Sequence, residues 1–550
     1  MNSLKILSLG GFGQVTSNMF VYETERDILI VDCGIGFPTE EMYGVDLLIP
    51  DISYLLPKKK KIRGIIISHA HDDHIGALPY ILPNLPETPV FASRWAKALA
   101  EEKLKEFGVP ASLVEIHENE AVRLGNFKVE FIGVTHSIPE TMHLVIETPI
   151  GYIYHAADFK LDLTPVMGKP TDQKRISEVG RRGILCLLSD SLRAERPGFT
   201  PSEKTLEEVF EREMGSCRGK FFVTTMSSNI SRLKQAIDVS LKHGRKIILV
   251  GRSIEKNVEI ALRLGYLKYP RNIFLPLKSM KNLLPSSLSL LVAGSQAQAG
   301  SALERIVAGE REVKIEPLDK IVFSTDYIPG NEVAINELID NILRLGAEVS
   351  YVGINSDVHV SGHGSASDLK KLIELVRPKY LLPIGGNFRH AVAYQKLALQ
   401  LGYKKEDIIL ADDGQVVELS PFGQVDLNKK FAAGTVMVDA LGIGDVGNVV
   451  LRDRKVLSEE GIVVAIVILN KSTLKIIGEP EIVSRGFVYV RSSEELIHQA
   501  QREIKIALNE LRNRRISTRF LRIEVQGNLE KFFFKKTGRR PMVLLQLIEV

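Results

Sequence analysis

The chain has few cysteines, no long apolar run and little excess charge, and each shortage excludes a class of protein. Its three cysteines, Cys33, Cys186 and Cys217, lie far apart and form no CxxC pair. This argues against a zinc ribbon or a disulfide framework and favours a reducing cytoplasm. No apolar run reaches the roughly eighteen residues that a membrane span needs, so we expect no membrane association. The segment MNSLKILSLGGFGQV lacks the apolar core and cleavage site of a signal peptide, so we do not expect export.

The formal net charge is only +4 at pH 7, but the charge is unevenly distributed. Residues 501–550 contain twelve Lys or Arg against five Asp or Glu, so the rest of the chain is slightly acidic. A basic end suggests a surface for a polyanion, although a solvated helix face explains the same count equally well. Basic clusters that can contact backbone phosphates occur at 58–63, 512–515 and 535–540. The aromatic content of 7% indicates no clear platform for stacking bases.

Several short apolar runs in the first 190 residues end in a polar residue, and we predict that each is a buried strand. These runs are RDILIVDCG, IRGIIISHA, FKVEFIGVTHS, GYIYHAADF and RGILCLLSD. Polar residues at the carboxyl ends of strands are how α/β proteins build sites. From about residue 200 helical stretches alternate with new strands, and near 355 the first pattern returns. The middle block is therefore interpreted as an insertion into the first domain.

The predicted domain boundaries follow from these changes in pattern. They are 1–205 and 355–425 for the two parts of the first domain, 206–354 for the inserted α/β domain, 426–448 for a linker and 449–550 for a small α+β domain. In the last domain, SSEELIHQAQREIKIALNELRNRR predicts a long charged helix. The segment FLRIEVQGNLEKFFF shows alternating apolar residues and predicts a strand at a subunit interface.

The stretch IIISHAHDDHIGALPY concentrates histidine and aspartate in a way that predicts a metal site. It holds His69, His71, Asp73 and His74, and the whole chain has only twelve histidines. Imidazole and carboxylate groups bind zinc at about 2.0–2.2 Å. The alternative, a polar loop that caps a helix, needs one aspartate and does not explain several imidazoles. His136 and Asp158 end two later strands; taken singly, each is more often a structural polar residue than a ligand.

The order HxHxDH, then a lone histidine, then a lone aspartate resembles the metallo-β-lactamase fold, an αββα sandwich. The segment IVDCG resembles that fold's early aspartate, here Asp32, which supports the site from behind the ligands. Many other segments resemble the ribonuclease J family, in the β-CASP branch, and occur in the expected order. They are FPTEEMYGVDLLIPDISYL, HSIPETMH, ADFKLD, ERPGFTPSE, GRSIEKNVEIALRLGYL, IPGNE, DVHVSGHG and GEPEIVSRGFVYV. HxHxDH alone would indicate only the superfamily, whereas the combination is specific to ribonuclease J.

The resemblance implies an α/β fold: a metallo-β-lactamase αββα sandwich, an inserted β-CASP domain and a small C-terminal α+β domain. It implies a metal-dependent RNA phosphodiester hydrolase, a 5′→3′ exonuclease, an endonuclease or both, in RNA maturation and decay. It also implies a homodimer or higher oligomer. A second hypothesis is a catalytically weak paralogue that binds RNA or an active ribonuclease J partner in a hetero-oligomer. A third, hydrolysis of a small lactone or thioester, would make no use of the β-CASP domain.

Carried over by position, the first metal ion would be held by His69, His71 and His136, with Asp158 bridging. The second would be held by Asp73, His74 and the same Asp158. In this family a histidine in a segment resembling PVHGE completes the second site, but this chain has LPIGGN, with Gly385 at that place. His390 could replace it only if the local backbone folded back. Zinc is expected, and manganese or magnesium are alternatives for these ligands.

One missing imidazole should weaken the second site, because water can fill the vacant position. We therefore expect weak or metal-dependent activity, with complete inactivity as the closest alternative. The acid–base candidates are Asp73, Asp190 and His363. Asp190 ends LLSD at the first β-CASP signature, where the alternative is a turn cap. His363, in VSGHG, matches the second signature, where the imidazole can give a proton to the leaving oxygen.

The resemblance also implies a pocket for the 5′-monophosphate, built from turns of the middle domain. Its residues would be Ser228, Asn229, Arg232, Gly294, Ser295 and Gln296, and the substrate would also be lined by His359, Ser361, Gly362 and His363. This chain departs from the family at Ser231, usually His, and at Ala297, Gln298 and Ala299 after GSQ. It also has Leu192 and Arg193 where Thr and Asn are common. The sequence therefore leaves recognition of a 5′-monophosphate open.

Overall fold

The structure is a computed structural model that describes residues 3–421, 423–440, 442–488, 494–512 and 518–550. The chain divides into two compact units. The first comprises Met1–Phe37 with Leu47–Val436, and the second comprises Pro38–Asp46 with Met437–Val550.

Two mixed sheets form the centre of the first unit. The first is eight-stranded, in the order Val425–Asp426, Val416–Leu419, Leu4–Gly10, Met19–Glu23, Ile28–Val31, Ile62–Ile66, Val90–Ala92 and Leu113–Glu115. The second is six-stranded, in the order Tyr380–Ile384, Ile184–Asp190, Gly151–Ala156, Thr141–Thr148, Phe127–Val134 and Ala121–Leu124. Because residues 380–419 supply strands to both sheets, the chain returns to this domain after the middle block.

The two sheets face each other across one apolar core. Tyr22 and Leu29 of the first sheet share this core with Val129, Leu144 and Ile153 of the second, and all of them are buried. The opposite face of the second sheet is covered by helices Gln173–Gly180, Ala366–Val376 and Phe388–Gln400. Helix Arg94–Glu106 packs against the first sheet. Helices therefore flank both sheets, which is the predicted αββα arrangement.

The middle block forms its own parallel sheet. Its five strands lie in the order Lys246–Val250, Leu288–Val292, Phe221–Thr224, Lys320–Phe323 and Glu348–Ser350. The intervening helices are Leu206–Ser216, Ile230–Lys242, Arg252–Leu264, Ala302–Val307 and Glu332–Arg344. Each strand is short and almost wholly buried, as expected for a parallel sheet covered on both faces.

The remaining elements of the first unit are short. They are the strand Leu47–Pro50, the helices Asp72–Ile75 and Leu78–Ile81, and the 3₁₀ turns Leu56–Lys61, Leu82–Asn84, Glu203–Thr205, Arg271–Ile273, Leu277–Asn282, Pro285–Ser287, Ser356–Val358 and Lys405–Asp407. None of the helices in the described part of the chain combines the length and the apolar character needed to cross a bilayer.

The second unit has a three-stranded sheet in the order Glu481–Arg485, Ile462–Leu469 and Met542–Glu549. It also contains helices Asn448–Glu460, Glu494–Arg512 and Thr518–Thr537, and strand Gly442–Ile443 pairs with Thr435–Asp439. The helix Glu494–Arg512 was predicted.

The strand predicted for FLRIEVQGNLEKFFF is wrong, because this segment lies in helix Thr518–Thr537. Its buried residues Leu521, Val525, Leu529 and Phe533 recur every four positions and pack against the sheet. The apparent alternation came from Leu521, Ile523 and Val525, but Ile523 is exposed while the other two are buried. Helical spacing therefore decides this segment.

Candidate metal centre

The loop that follows strand Ile62–Ile66 is anchored by Asp32. Its carboxylate accepts hydrogen bonds from the Ser68 backbone N–H at 2.7 Å and the Ser68 hydroxyl at 2.8 Å. It also receives the Nδ1–H of His74 at 2.7 Å. Asp32 has a φ of 65°, a conformation that costs a non-glycine residue about 1–2 kcal/mol. These hydrogen bonds offset that cost and hold the loop's histidines in place.

The first subsite is formed by His69, His71, His136 and Asp158, which three separate strand ends bring together. His71 Nδ1 lies 3.1 Å from both His69 Nε2 and His136 Nε2. Asp158 Oδ2 lies 3.5 Å from His69 Nε2 and 3.8 Å from His136 Nε2. Zinc–nitrogen distances of about 2.0–2.1 Å place tetrahedral ligands about 3.3 Å apart. The four side chains therefore fit a single tetrahedral cation.

Hydrogen bonds and burial put these imidazoles in the state that binds metal. His136 Nδ1–H donates to the Gly362 carbonyl at 2.8 Å, which leaves Nε2 free as a ligand. Burial lowers the pKa of His71 to about 4 and lowers the pKa values of His69 and His136 as well. The rings are thus neutral at physiological pH, as metal binding requires. Gly362 has to be glycine, because a Cβ there would lie 2.8 Å from His136 Cε1.

The second subsite contains Asp73, His74 and Asp158. His74 Nε2 lies 3.6 Å from Asp73 Oδ2 and 3.5 Å from Asp158 Oδ2, so Asp158 is shared with the first subsite. Burial raises the pKa of Asp73 to about 6, although His74 opposes this rise. Asn18, which the sequence analysis missed, places its Nδ2 at 3.2 Å from His74 Nε2. No spacing pattern could indicate it, since the residues lie far apart in the chain.

Gly385 lies at the open side of the second subsite. A Cβ built on it would meet Asp158 Oδ1 and Asp190 Oδ1 at 3.9 Å, with no nearer heavy atom beyond its chain neighbours. A side chain at this position would therefore face the shared carboxylate. His390 does not take this place: its Nδ1 accepts the Asn387 N–H at 3.1 Å and closes the first turn of its helix.

Asp190 and His363 form a dyad beside the subsites. His363 Nδ1 lies 2.8 Å from Asp190 Oδ2, and His363 Nε2 lies 3.8 Å from Asp158 Oδ2. Burial disfavours the charged ring, but Asp190 and Asp158 outweigh it and raise the pKa of His363 to about 9. The ring is therefore protonated near neutral pH and can donate a proton. Asp190 also accepts the Leu192 N–H at 2.9 Å, so its turn-capping role coexists with this one.

Arg232, for which the resemblance implies phosphate binding, has a guanidinium that is bonded within the protein. Its guanidinium donates to both carboxylate oxygens of Glu203, at 2.8 and 2.9 Å. It also donates to the carbonyls of Ser324 and Val360 and lies 2.8 Å from His359 Nδ1. These contacts use all the N–H donors of a guanidinium. In this conformation Arg232 therefore joins protein segments and has no donor left for a phosphate.

Two other predicted pocket residues are also used by the protein itself. The Asn229 side chain caps helix Ile230–Lys242 by accepting the Arg232 N–H at 3.0 Å. Gln296 donates to Thr325 Oγ1 at 3.0 Å and to the Asp326 carbonyl at 2.8 Å, and accepts the Ile328 N–H at 2.9 Å.

The other predicted pocket residues carry less distinctive contacts. Ser228 is half-buried, Gly294 has a φ of 112°, and Ser295 is buried with its hydroxyl 3.9 Å from Met226 Sδ. Ser361 accepts the His363 N–H at 3.1 Å and so helps to shape the loop that carries this histidine.

The basic clusters are partly engaged. In residues 58–63, Lys58 pairs with Glu23 at 2.9 Å and Arg63 pairs with Asp27 at 2.5 Å. In residues 535–540, Arg540 stacks on the Phe534 ring at 4.3 Å. The cluster at 512–515 lies almost entirely outside the described residues.

Comparison with protein-family models gives the class first. Residues 12–196 match the metallo-beta-lactamase superfamily, and residues 352–409 match the Zn-dependent metallo-hydrolase RNA specificity domain. With the fold and the cluster of histidine and aspartate described above, these matches define a metal-dependent hydrolase of the metallo-β-lactamase superfamily. A crystal structure of a protein of unknown function from Enterococcus faecalis V583 agrees on the fold, with a TM-score of 0.52 at 15% identity, covering 76% of this chain and 100% of that one.

The particular family follows from the other matches. Residues 218–342 match the ribonuclease J beta-CASP domain, and residues 449–550 match the ribonuclease J C-terminal domain. Ribonuclease J2 of Bacillus subtilis is 37% identical over 100% of this chain and 99% of its own. Ribonuclease J 1 of Streptococcus pyogenes is 38% identical over 99% of this chain and 97% of its own. The chain belongs to the ribonuclease J family and is a metal-dependent ribonuclease, which confirms the predicted fold and enzyme class.

Proposed function

We propose that this ribonuclease hydrolyses RNA phosphodiesters at a two-ion centre whose first subsite is complete and whose second lacks one ligand. Its activity would then be weak at limiting metal and would rise with metal concentration. The observation that carries this proposal is Gly385, whose Cβ direction faces the carboxylate shared by the two subsites. We expect zinc, with manganese or magnesium as alternatives, because sites made of imidazole and carboxylate groups can bind each of these ions.

In this proposal, His69, His71 and His136 would hold the first ion, Asp73 and His74 would hold the second, and Asp158 would contribute to both subsites. When bound, a pair of ions would supply an activated water molecule and positive charge for the attacked phosphate. Asp32 keeps the Nε2 of His74 directed towards the second subsite by accepting the proton on its Nδ1.

His363 would donate a proton to the leaving oxygen. Its Nδ1 contacts Asp190 at 2.8 Å, so Nε2 is the nitrogen that can face the substrate. The raised pKa, about 9, keeps the ring charged and lets it donate one proton per cleavage. Asp190 orients the ring and stabilises its positive charge.

The physiological setting that we propose is RNA maturation and decay in the cytoplasm, by 5′→3′ exonucleolytic cleavage, endonucleolytic cleavage or both. We further propose assembly into a homodimer or a higher oligomer. Dependence on a 5′-monophosphate should be weak, because Arg232, Asn229 and Gln296 already have partners within the protein.

A second candidate function is a catalytically feeble subunit that binds RNA or a more active ribonuclease J in a hetero-oligomer. The same Gly385 favours it, since a second ion held by three side chains would be readily lost. The dyad of His363 and Asp190 opposes it, because a protein without catalysis has no need of a charged histidine beside a metal site.

Metal content and RNA digestion measured together distinguish these functions. The purified chain is loaded with zinc or manganese, the ions per chain are counted, and 5′-monophosphorylated, 5′-hydroxyl and circular RNAs are digested at increasing metal concentration. We expect one tightly held ion and a rate that climbs as a second ion binds. An absence of cleavage with both subsites occupied would reject the enzymatic proposal and favour the binding subunit.

A further inference from the structure

Arg193 is a positively charged residue whose guanidinium lacks a hydrogen-bonding partner in the described part of the protein. Its side chain is half-buried, and its Nε is enclosed without a hydrogen-bond partner. Among the described residues, its guanidinium forms no ion pair and donates no hydrogen bond. Buried polar groups in folded proteins are nearly always paired, so an unpaired one calls for a functional explanation.

The position of Arg193 is fixed by the turn that follows strand Ile184–Asp190. The Ser191 hydroxyl donates to the Ile384 carbonyl at 2.9 Å, the Ala194 N–H donates to the Ser191 carbonyl at 3.0 Å, and the Arg196 N–H donates to the Arg193 carbonyl at 2.9 Å. The turn is thus pinned to the strand next to Gly385. Arg193 lies three positions after Asp190, whose side chain contacts His363 at the metal centre.

Carboxylates of both the metal centre and the middle domain act on the charge of Arg193. Burial lowers its pKa, Arg196 adds to this effect, and Asp326, Asp190 and Asp368 oppose it. Asp326 belongs to the loop that Gln296 holds by its backbone carbonyl at 2.8 Å. Arg193 therefore lies near the metal centre, on the turn that begins directly after Asp190, and within range of the charges of Asp190 and Asp326.

Arg193 contrasts with Arg232, which the sequence had suggested as the phosphate ligand. Arg232 is buried and donates its hydrogen bonds to Glu203 and to backbone carbonyls. Burial lowers the pKa of His359, and both arginines add to this effect, so both charges lie near its ring. Of the two cations, Arg193 is the one with donors to spare.

We propose that Arg193 binds a phosphate group of the RNA strand beside the metal centre and so helps to set substrate affinity. A guanidinium matches the geometry of a phosphate with two parallel hydrogen bonds, independently of base sequence. The RNA phosphate would then be the hydrogen-bond acceptor that the Arg193 guanidinium lacks in the folded protein. This inference rests on the assignment of the chain as a ribonuclease, and the phosphate is either the 5′-terminal group or an internal phosphodiester.

The test compares Arg193→Asn and Arg193→Lys with the parent chain in direct binding of short RNAs. Oligoribonucleotides with a 5′-monophosphate or a 5′-hydroxyl are used, and a chelator prevents cleavage. We expect Arg193→Asn to weaken binding about 10-fold. The slope of log affinity against log salt concentration should also become shallower by about one. Arg193→Lys should lose less, because it keeps the charge but not the paired donors.

The matched control is Arg123→Asn, which removes the same charge on the edge strand Ala121–Leu124. Arg123 pairs in register with Lys128, at the end of strand Phe127–Val134 opposite His136. Its RNA affinity should equal that of the parent chain. Steady-state cleavage adds a second measurement: Arg193→Asn should raise KM about as much as it weakens binding, with kcat changed less than about twofold.

The outcomes separate the sources of the phosphate and the possible failures. A loss confined to the 5′-monophosphate RNA supports terminal recognition, and an equal loss on both RNAs supports an internal phosphodiester. The melting temperature should fall little, because no hydrogen bond or ion pair of the guanidinium is removed. Unchanged affinity, or a fall in melting temperature that accounts for the lost binding, would overturn the proposal. Because binding is measured without cleavage, an inactive parent chain that still binds RNA would reject only the catalytic proposal.

Discussion

The cluster of histidines and aspartates and the residues predicted to form a phosphate pocket in the middle domain differ in how their polar side chains are bonded. At the metal centre, His71 Nδ1 lies 3.1 Å from both His69 Nε2 and His136 Nε2. In the pocket, Arg232 and Gln296 direct their donors into the protein. Neutral imidazoles that crowd together stabilise one another little and need a cation. The donors of an arginine or an amide, by contrast, readily find a carboxylate or a carbonyl within the protein. Residue type alone therefore indicates a metal site more reliably than it indicates an anion pocket.

Removing a ligand of the first subsite should have the largest effect. His71→Ala deletes the nitrogen that lies 3.1 Å from both His69 and His136. We expect RNA cleavage to fall by at least about 100-fold, together with loss of the first ion. Initial rates and metal per chain measure this. His498→Ala, in an exposed part of helix Glu494–Arg512, is the control and should change neither. A His71→Ala chain that keeps its metal and its rate would disprove the ligand assignment.

Breaking Arg232 tests whether the pocket is structural. Arg232→Met leaves the buried carboxylate of Glu203 without its guanidinium, and we expect the free energy of unfolding to fall by about 3–5 kcal/mol. Denaturant titration measures it. The control Arg212→Met removes a half-exposed arginine that pairs with Asp357 at 2.8 Å, where a loss of about 0–1 kcal/mol is expected. Equal stability of the two variants, with a selective loss on 5′-monophosphorylated RNA, would restore Arg232 as a phosphate ligand.

Restoring the missing imidazole should sharpen the contrast between the two subsites. In Gly385→His the new Cβ lies 3.9 Å from the oxygens of Asp158 and Asp190. We expect the affinity for the second ion, and the rate at limiting metal, to rise about 10–100-fold. Gly385→Ala is the control, because it carries the same backbone cost at a φ of 62°, about 1–2 kcal/mol, without the ligand. If the second subsite fills and the rate does not change, the missing ligand does not limit activity.

The smallest expected effect is a difference in the pH at which the two ions leave. Burial raises the pKa of Asp73 to about 6, so this carboxyl takes up a proton and weakens the second subsite as the pH falls through 6. Burial lowers the pKa of His71 to about 4, so this ring stays neutral until much lower pH. Metal per chain after dialysis between pH 7 and pH 4.5 should show the second ion leaving first. Simultaneous loss of both ions would contradict the assignment of two distinct subsites.

Much of the fold was predictable because its strands are short apolar runs that end in polar residues. The strands that end at or just before His136, Asp158 and Asp190 were each predicted, and they bring these three residues into one cluster. Helix Thr518–Thr537 was mistaken for a strand, because Leu521, Ile523 and Val525 alternate with polar residues although Ile523 is exposed. The packing of Leu521 and Val525 against the sheet overrides that local pattern.

The histidines and aspartates of the cluster were predictable from the sequence, and the contacts that support them were not. The contact of Asn18 with His74, and that of Glu203 with Arg232, join residues far apart in the chain and follow no spacing rule. The position of Gly385 was indicated by the sequence, but the direction of its absent side chain required the structure.

The sequence by itself determined the family, the fold class and the set of imidazoles and carboxylates around the cations, because those chemical groups have few other uses at such density. Only the tertiary structure decided that Arg232 is already paired and that Arg193 has no partner among the described residues. The hydrogen-bond partners of Arg232 come from segments that are distant in the chain, so what a donor binds depends on the acceptor that folding places beside it.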